Sequence, residues 1–267
     1  MDRIVPGPAT AASPPLGTPF PTGSLPDVAG LLDGVPRQRE LLSPAPVSAP
    51  APAAARLSFR PWRLLPSPTR TPFTFAYAAV LAVTSLVAAY AAPGLVQALY
   101  QDSSTDVAHL VRTPVLVLLA SALWIAGGVL SPYAVAFVLV LTALERRIGG
   151  VRAACVFLTG HVLATLATEV PVGLAVLFGH LPTTSLHRLD YGISFGVAAS
   201  VGALAGLLTP WVRWPLLALV AGTLVNDLMA FQDPMTNWGH LIALGLGVAG
   251  WPLVRRWRLP ALSPASV

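Results

Sequence analysis

The chain has 267 residues, of which only 10% are charged and 55% are hydrophobic, where a soluble domain carries roughly 25% charged residues. That balance excludes an ordinary water-soluble domain and makes a bilayer the expected solvent. The net charge of +5 comes with sixteen basic residues, all of them arginine, and their distribution reads as a topology signal, not as a nucleic-acid-binding surface. Cys155 is alone, so no intrachain disulfide forms and the residue is expected to be a buried, inert thiol.

Residues 1–70 hold fifteen of the 27 prolines in repeated Ser-Pro, Ala-Pro and Pro-Ala steps, a pattern that withholds helix and ladder hydrogen bonds and predicts a disordered cytoplasmic tail. No signal peptide precedes the first apolar run, so that run is expected to direct insertion. Arg56, Arg60, Arg63 and Arg70 flank it, with Trp62 as an interfacial anchor. Phe73 to Ala92 lacks a charge over enough residues to cross a hydrocarbon core of about 30 Å and is the first expected span. After a polar loop with Asp102, Asp106, His109 and Arg112, the uncharged stretch from Pro114 to Leu144 is too long for one helix. Gly127, Gly128 and Pro132 divide it into a surface or re-entrant segment over 114–128 and a second span over 129–145.

The turn containing Glu145, Arg146, Arg147, Gly149, Gly150 and Arg152 leads to a third span over Ala153 to Phe178, which contains His161 and Glu169. The fourth is expected over Tyr191 to Leu208. A turn from Thr209 to Pro215 carries Arg213 between Trp211 and Trp214, the fifth span runs from Leu216 to Ala230, and the sixth from Asn237 to Val254, with a short cytoplasmic tail at 259–267. If the N-terminal tail is inside, fourteen of the sixteen arginines are inside and only Arg112 and Arg188 are outside. The positive-inside rule then supports an even number of spans, with both ends in the cytoplasm of a plasma-membrane protein.

Polar residues within spans are costly, and Ser194 and His240 are the leading candidates for chemistry. Spans four and six run in the same direction, and each residue is expected in the first turn of its helix, roughly 5 Å below the helix start. Gly192, Gly196 and Ser200 in one span, and Gly239, Ala243 and Gly247 in the other, recur at steps of four, a small-residue pattern that lets two helices approach closely. A serine and a neutral imidazole across such a seam have the parts for nucleophilic catalysis, with backbone N–H groups to hold an oxyanion.

From Phe73 to Arg258 the chain resembles the rhomboid superfamily of intramembrane serine proteases. Leu144-Glu145-Arg146-Arg147-Ile148-Gly149 resembles the LExxxG turn after the second rhomboid helix. Gly192-Ile193-Ser194 resembles the start of the GxSG motif, and Gly239-His240 with Ala243 and Gly247 resembles the sixth-helix motif. The resemblance implies an all-α, six-helix transmembrane bundle in which Ser194 is the nucleophile, His240 the general base, and the partners are the lipid bilayer and transmembrane segments of other membrane proteins. The chain departs from the family pattern at three places. Phe195 follows the nucleophile where the family has glycine, Ala198 replaces an aromatic one turn later, and Val129 and Tyr133 stand where the second helix has HxxxN. One lost oxyanion donor costs about 10² to 10³ in rate, and Tyr133 is a candidate replacement donor.

The expected function is therefore a candidate Ser–His intramembrane protease, with a proteolytically inactive, client-binding rhomboid-like protein as the alternative. His161, Glu169, His180 and His187 lack an HExxH or paired-ligand spacing, so neither a metal nor another cofactor is expected. A transporter is the least supported class, because no inverted repeat or matching pair of broken helices is found. Asn226, Asp227, Asp233 and Asn237 read as a solvated turn at the outer surface, or as a gate beside His240.

Overall fold

The computed structural model describes residues 64–231 and 233–259. Nearly all of the expected Pro/Ala-rich tail and of the 259–267 tail therefore lies outside the described residues. Every regular element among the described residues is helical. Three helices are long and apolar enough to cross a membrane: α1 (Pro72–Tyr90), α7 (Gly150–Leu177) and α9 (Pro210–Met229). The others are α2 (Pro93–Asp102), α3 (Val107–Arg112), α4 (Pro114–Ser121), α5 (Pro132–Ala136), α6 (Thr142–Ile148), α8 (Ser194–Ala205), α10 (Pro234–Ala249) and α11 (Trp251–Arg256). Together they form an all-α helical bundle, the fold class expected.

The LExxxG turn explains how the bundle closes. Glu145 is buried and accepts from Phe73 N at 3.0 Å, Thr74 N at 2.7 Å and Thr74 Oγ1 at 2.7 Å. Its carboxylate thus satisfies N–H groups that the first turn of α1 leaves without intrahelical partners. Leu144 and Ile148 bury beside it, and Gly149, at φ 87°, turns the chain from α6 into α7. The next residue must also be small, because a Cβ on Gly150 would come within 2.8 Å of Glu145 Oε1.

The second span is a composite of α5, a π-helical turn over Phe137–Leu141, and α6. Ser131 starts it, its side chain accepting from Ala134 N at 3.2 Å, with Pro132 at the first helical position. The preceding stretch, expected to be re-entrant or on the membrane surface, is α4 followed by turns in which Gly127 and Gly128 both adopt φ 80°. Its irregular backbone is tied to its neighbours: Tyr77 Oη donates to Ala122 O at 2.5 Å, and Thr84 Oγ1 to Leu123 O at 2.7 Å. Non-helical backbone is tolerated in a bilayer protein where its polar groups are satisfied in this way.

α8 is the hub: every residue from Phe195 to Ala205 is buried. Small residues let its neighbours reach it. A Cβ on Gly247 of α10 would strike Ala199 O and lie 2.8 Å from Ala203 N, and one on Gly202 would strike Leu244 O. Toward α7, a Cβ on Gly160 would strike Ala199 Cβ. Close approach of backbones at small residues is how membrane helices gain packing energy without a hydrophobic driving force between them.

Several expected features differ: the fourth span is helical only over Ser194–Ala205 of the expected Tyr191 to Leu208, and the sixth is interrupted at Gly250 between α10 and α11. α9 starts at Pro210, so the stretch expected as a turn from Thr209 to Pro215 forms its first turns, with Pro210 at N1 following an extended Thr209. α10 starts at Pro234, three residues earlier than expected, with Asp233 capping Thr236 N at 3.3 Å. Cys155 is exposed, not buried.

Candidate functional site

Ser194 is the first residue of α8, and the turn before it is built from both sides. Gly192 adopts φ 125°, a value that favours glycine, and a Cβ there would sit 3.3 Å from Ala126 Cβ. Gly192 N donates to Ser121 O at 2.9 Å and Ile193 N to Trp124 O at 3.1 Å. The segment after α4 is therefore the platform on which Gly192-Ile193-Ser194 rests. A further tie fixes that platform: buried Ser121 and His161 meet through Oγ and Nε2 at 3.0 Å, with Leu118 O 3.2 Å from the same nitrogen.

His240 is buried on α10. It is the seventh residue of that helix, roughly 9 Å below its start at 1.5 Å per residue, not in the first turn as expected. The earlier start at Pro234 is the reason. Its Nδ1 lies 3.2 Å from Tyr133 Oη, and the two rings stack at 4.9 Å between centroids. Phe195 meets the imidazole edge-on at 5.2 Å. The Nε2 atom is buried without a hydrogen-bond partner, so no hydrogen bond joins His240 to Ser194.

The small-residue seam is also shifted in register. Gly196 faces α7, where a Cβ would come within 2.5 Å of the Phe157 ring, and Gly239 faces the Phe195 ring and Thr168. The α8 residues that meet Gly247 are Ala199 and Ala203, and Ala243 packs in the cluster that holds Phe195, Ala198 and Ala199. Tyr133, expected as an oxyanion donor, has its hydroxyl on His240.

A polar cluster beside this site was not anticipated. Arg188 pairs with Glu169 of α7, with Asp190 at 3.7 Å and with Asp233 at 3.2 Å, and donates to Thr236 Oγ1 at 3.0 Å. It thereby ties α7 to the start of α10. Asp190 is buried and also receives Thr105 Oγ1 at 3.3 Å. Burial pushes its carboxyl above the usual range, against the pull of Arg188 and of the Thr105 hydrogen bond. The sequence signal was available in Arg188 itself, an arginine two residues from Asp190 in the loop between two apolar stretches. His161 and Glu169, eight residues apart, reach separate partners, Ser121 and Arg188. No cluster of potential metal ligands occurs among the described residues.

Fold and site together define an integral membrane protein of helical-bundle architecture with a buried histidine at its polar centre. A family model described as rhomboid-like protein matches residues 69–259, and the chain belongs to that family. No curated protein and no solved structure matches it.

Proposed function

We propose that the protein binds transmembrane segments of other membrane proteins within the bilayer and leaves their peptide bonds intact. The observation that supports this most is the environment of His240: Phe195 packs edge-on against the imidazole, and no hydrogen bond links that ring to Ser194. Serine hydrolysis needs a hydroxyl within hydrogen-bond reach of a basic nitrogen and free N–H donors around the developing oxyanion. Here the Gly192 and Ile193 N–H groups are spent on Ser121 O and Trp124 O, which leaves only the first-turn N–H groups of α8 itself as backbone donors near Ser194. With His240 Nδ1 unprotonated the Tyr133 hydroxyl is spent as a donor to it, and Phe195 stands where the protease pattern has glycine. Client segments would meet apolar surface such as the groove of about 370 Å³ between α1 and the α5–π segment, lined by Leu81, Val135 and Val138. The proposal places the bundle in the plasma membrane, and the arginine distribution supports both chain ends in the cytoplasm.

One feature favours hydrolysis as a second reading. With His240 Nδ1–H donating to the Tyr133 oxygen, the partnerless Nε2 carries the lone pair of a general base held by a third group. Labelling with a serine-directed fluorophosphonate separates the two. The proposal expects no labelling of the parent beyond that of Ser194→Ala. Parent labelling that is lost in both Ser194→Ala and His240→Ala establishes the dyad and overturns it.

A further inference from the structure

At the arginine-rich end of the bundle, Trp251 lies beneath two cations. The Arg213 guanidinium carbon is 5.0 Å and that of Arg255 is 5.1 Å from the indole centroid. Two like charges are thus held at most about 10 Å apart, and among the described residues neither pairs with a carboxylate.

Part of the charge is answered by the end of α8. Arg213 donates to Ala205 O at 2.8 Å and Leu208 O at 2.7 Å, Arg255 donates through Nε to Gly206 O at 3.1 Å, and the indole N–H donates to Gly202 O at 2.8 Å. A helix C-terminus supplies only about half a negative charge, so more than one positive charge is left over. Donors are left over as well: a guanidinium has five N–H groups, and the terminal nitrogens of Arg255 make no hydrogen bond among the described residues. Beside the pair, Trp214 is 59% exposed and edge-on to Trp251 at 6.2 Å, and one turn before it on α9 Trp211 is 90% exposed. Exposed indoles at the end of a membrane bundle belong at headgroup depth.

We infer that Arg213, Arg255 and Trp251 form a binding site for the phosphodiester of an anionic phospholipid. The two guanidinium groups take the phosphate oxygens as charge-assisted donors, and Trp214 lies against the glycerol and upper acyl region. The excess charge selects an anionic over a zwitterionic headgroup, and the exposed indoles select a lipid over a free phosphate ion.

Native mass spectrometry of the full chain, delipidated and titrated with phosphatidylglycerol or phosphatidylcholine, tests this. Phosphatidylglycerol should bind more tightly, and the double variant Arg213→Gln, Arg255→Gln should weaken it about thirty-fold, on the order of fivefold per arginine. The charge-matched double variant Arg256→Gln, Arg258→Gln should weaken it less than about threefold. Since Arg213 also caps α8, Arg255→Gln alone provides the reading if the double variant does not fold, with about a fivefold loss expected. Equal losses in the two double variants, unchanged binding in Arg255→Gln, no preference over phosphatidylcholine, or displacement by equimolar inorganic phosphate would each overturn the assignment.

Discussion

Glu145 closes the start of a helix more than seventy residues away in sequence, and what it does depends on its charge. Three donors converge on its carboxylate, all within 3.0 Å. Glu145→Gln keeps the shape but turns an amide N–H toward those donors, and is expected to lower stability by about 2 kcal/mol, read as thermal unfolding in detergent. Glycines give a sharper contrast within one helix. Gly247→Ala forces a Cβ into the Ala199 backbone and is expected to cost about 1–3 kcal/mol. Gly245→Ala meets nothing within 4 Å and should be neutral or stabilising by up to about 1 kcal/mol. Residue types were legible at this scale: the sequence names Ser194, His240, Gly247 and Glu145. Their contacts were not, because small-residue periodicity says that a helix has a flat stripe and not which neighbour lies on it. Gly196 therefore faces Phe157 and not α10.

Element boundaries followed the same division. Apolar length located α1 and α7 closely, since hydrophobic runs in a bilayer are set by its thickness. The starts of α9 and α10 were missed because Thr209-Pro210 and Asp233-Pro234 act as start signals there, while Pro215 sits inside α9 without ending it. The composite second span was also illegible, as no residue type marks a π turn over Phe137–Leu141. Between elements, Arg188 is the joint whose loss should be felt most. Arg188→Gln leaves Glu169 buried without its partner and is expected to cost about 3 kcal/mol. Faster amide exchange at the start of α10 should accompany it. Asp190 in the same cluster has its proton affinity raised by burial, against Arg188 and Thr105 and with Asp233 and Asp106 reinforcing it. Its contribution to stability is therefore present at low pH and lost as pH rises above the ordinary aspartate value of about 3.9 through the higher folded value. Asp190→Asn should accordingly show a smaller fall in unfolding temperature between pH 4 and pH 7 than the parent.

For the whole molecule, the rhomboid-type bundle and the client-binding reading connect through α8. A helix buried from Phe195 to Ala205 and rich in small residues brings α7 and α10 close and carries the Phe195 ring to His240. Composition, arginine placement and three short motifs were enough to read the class of fold, because each follows from bilayer physics or from a turn with fixed geometry. Whether the centre cleaves was not readable from residue identity, since Ser194 and His240 are present and their chemistry depends on contacts that only the fold supplies. The most direct measurement reconstitutes the full chain in vesicles with a single-span peptide labelled near its outer end, reading energy transfer from the protein's tryptophans and the peptide's mass together. The account predicts saturable transfer with the peptide recovered at its original mass. Peptide fragments that vanish with Ser194→Ala, or no transfer at any peptide density, would contradict it.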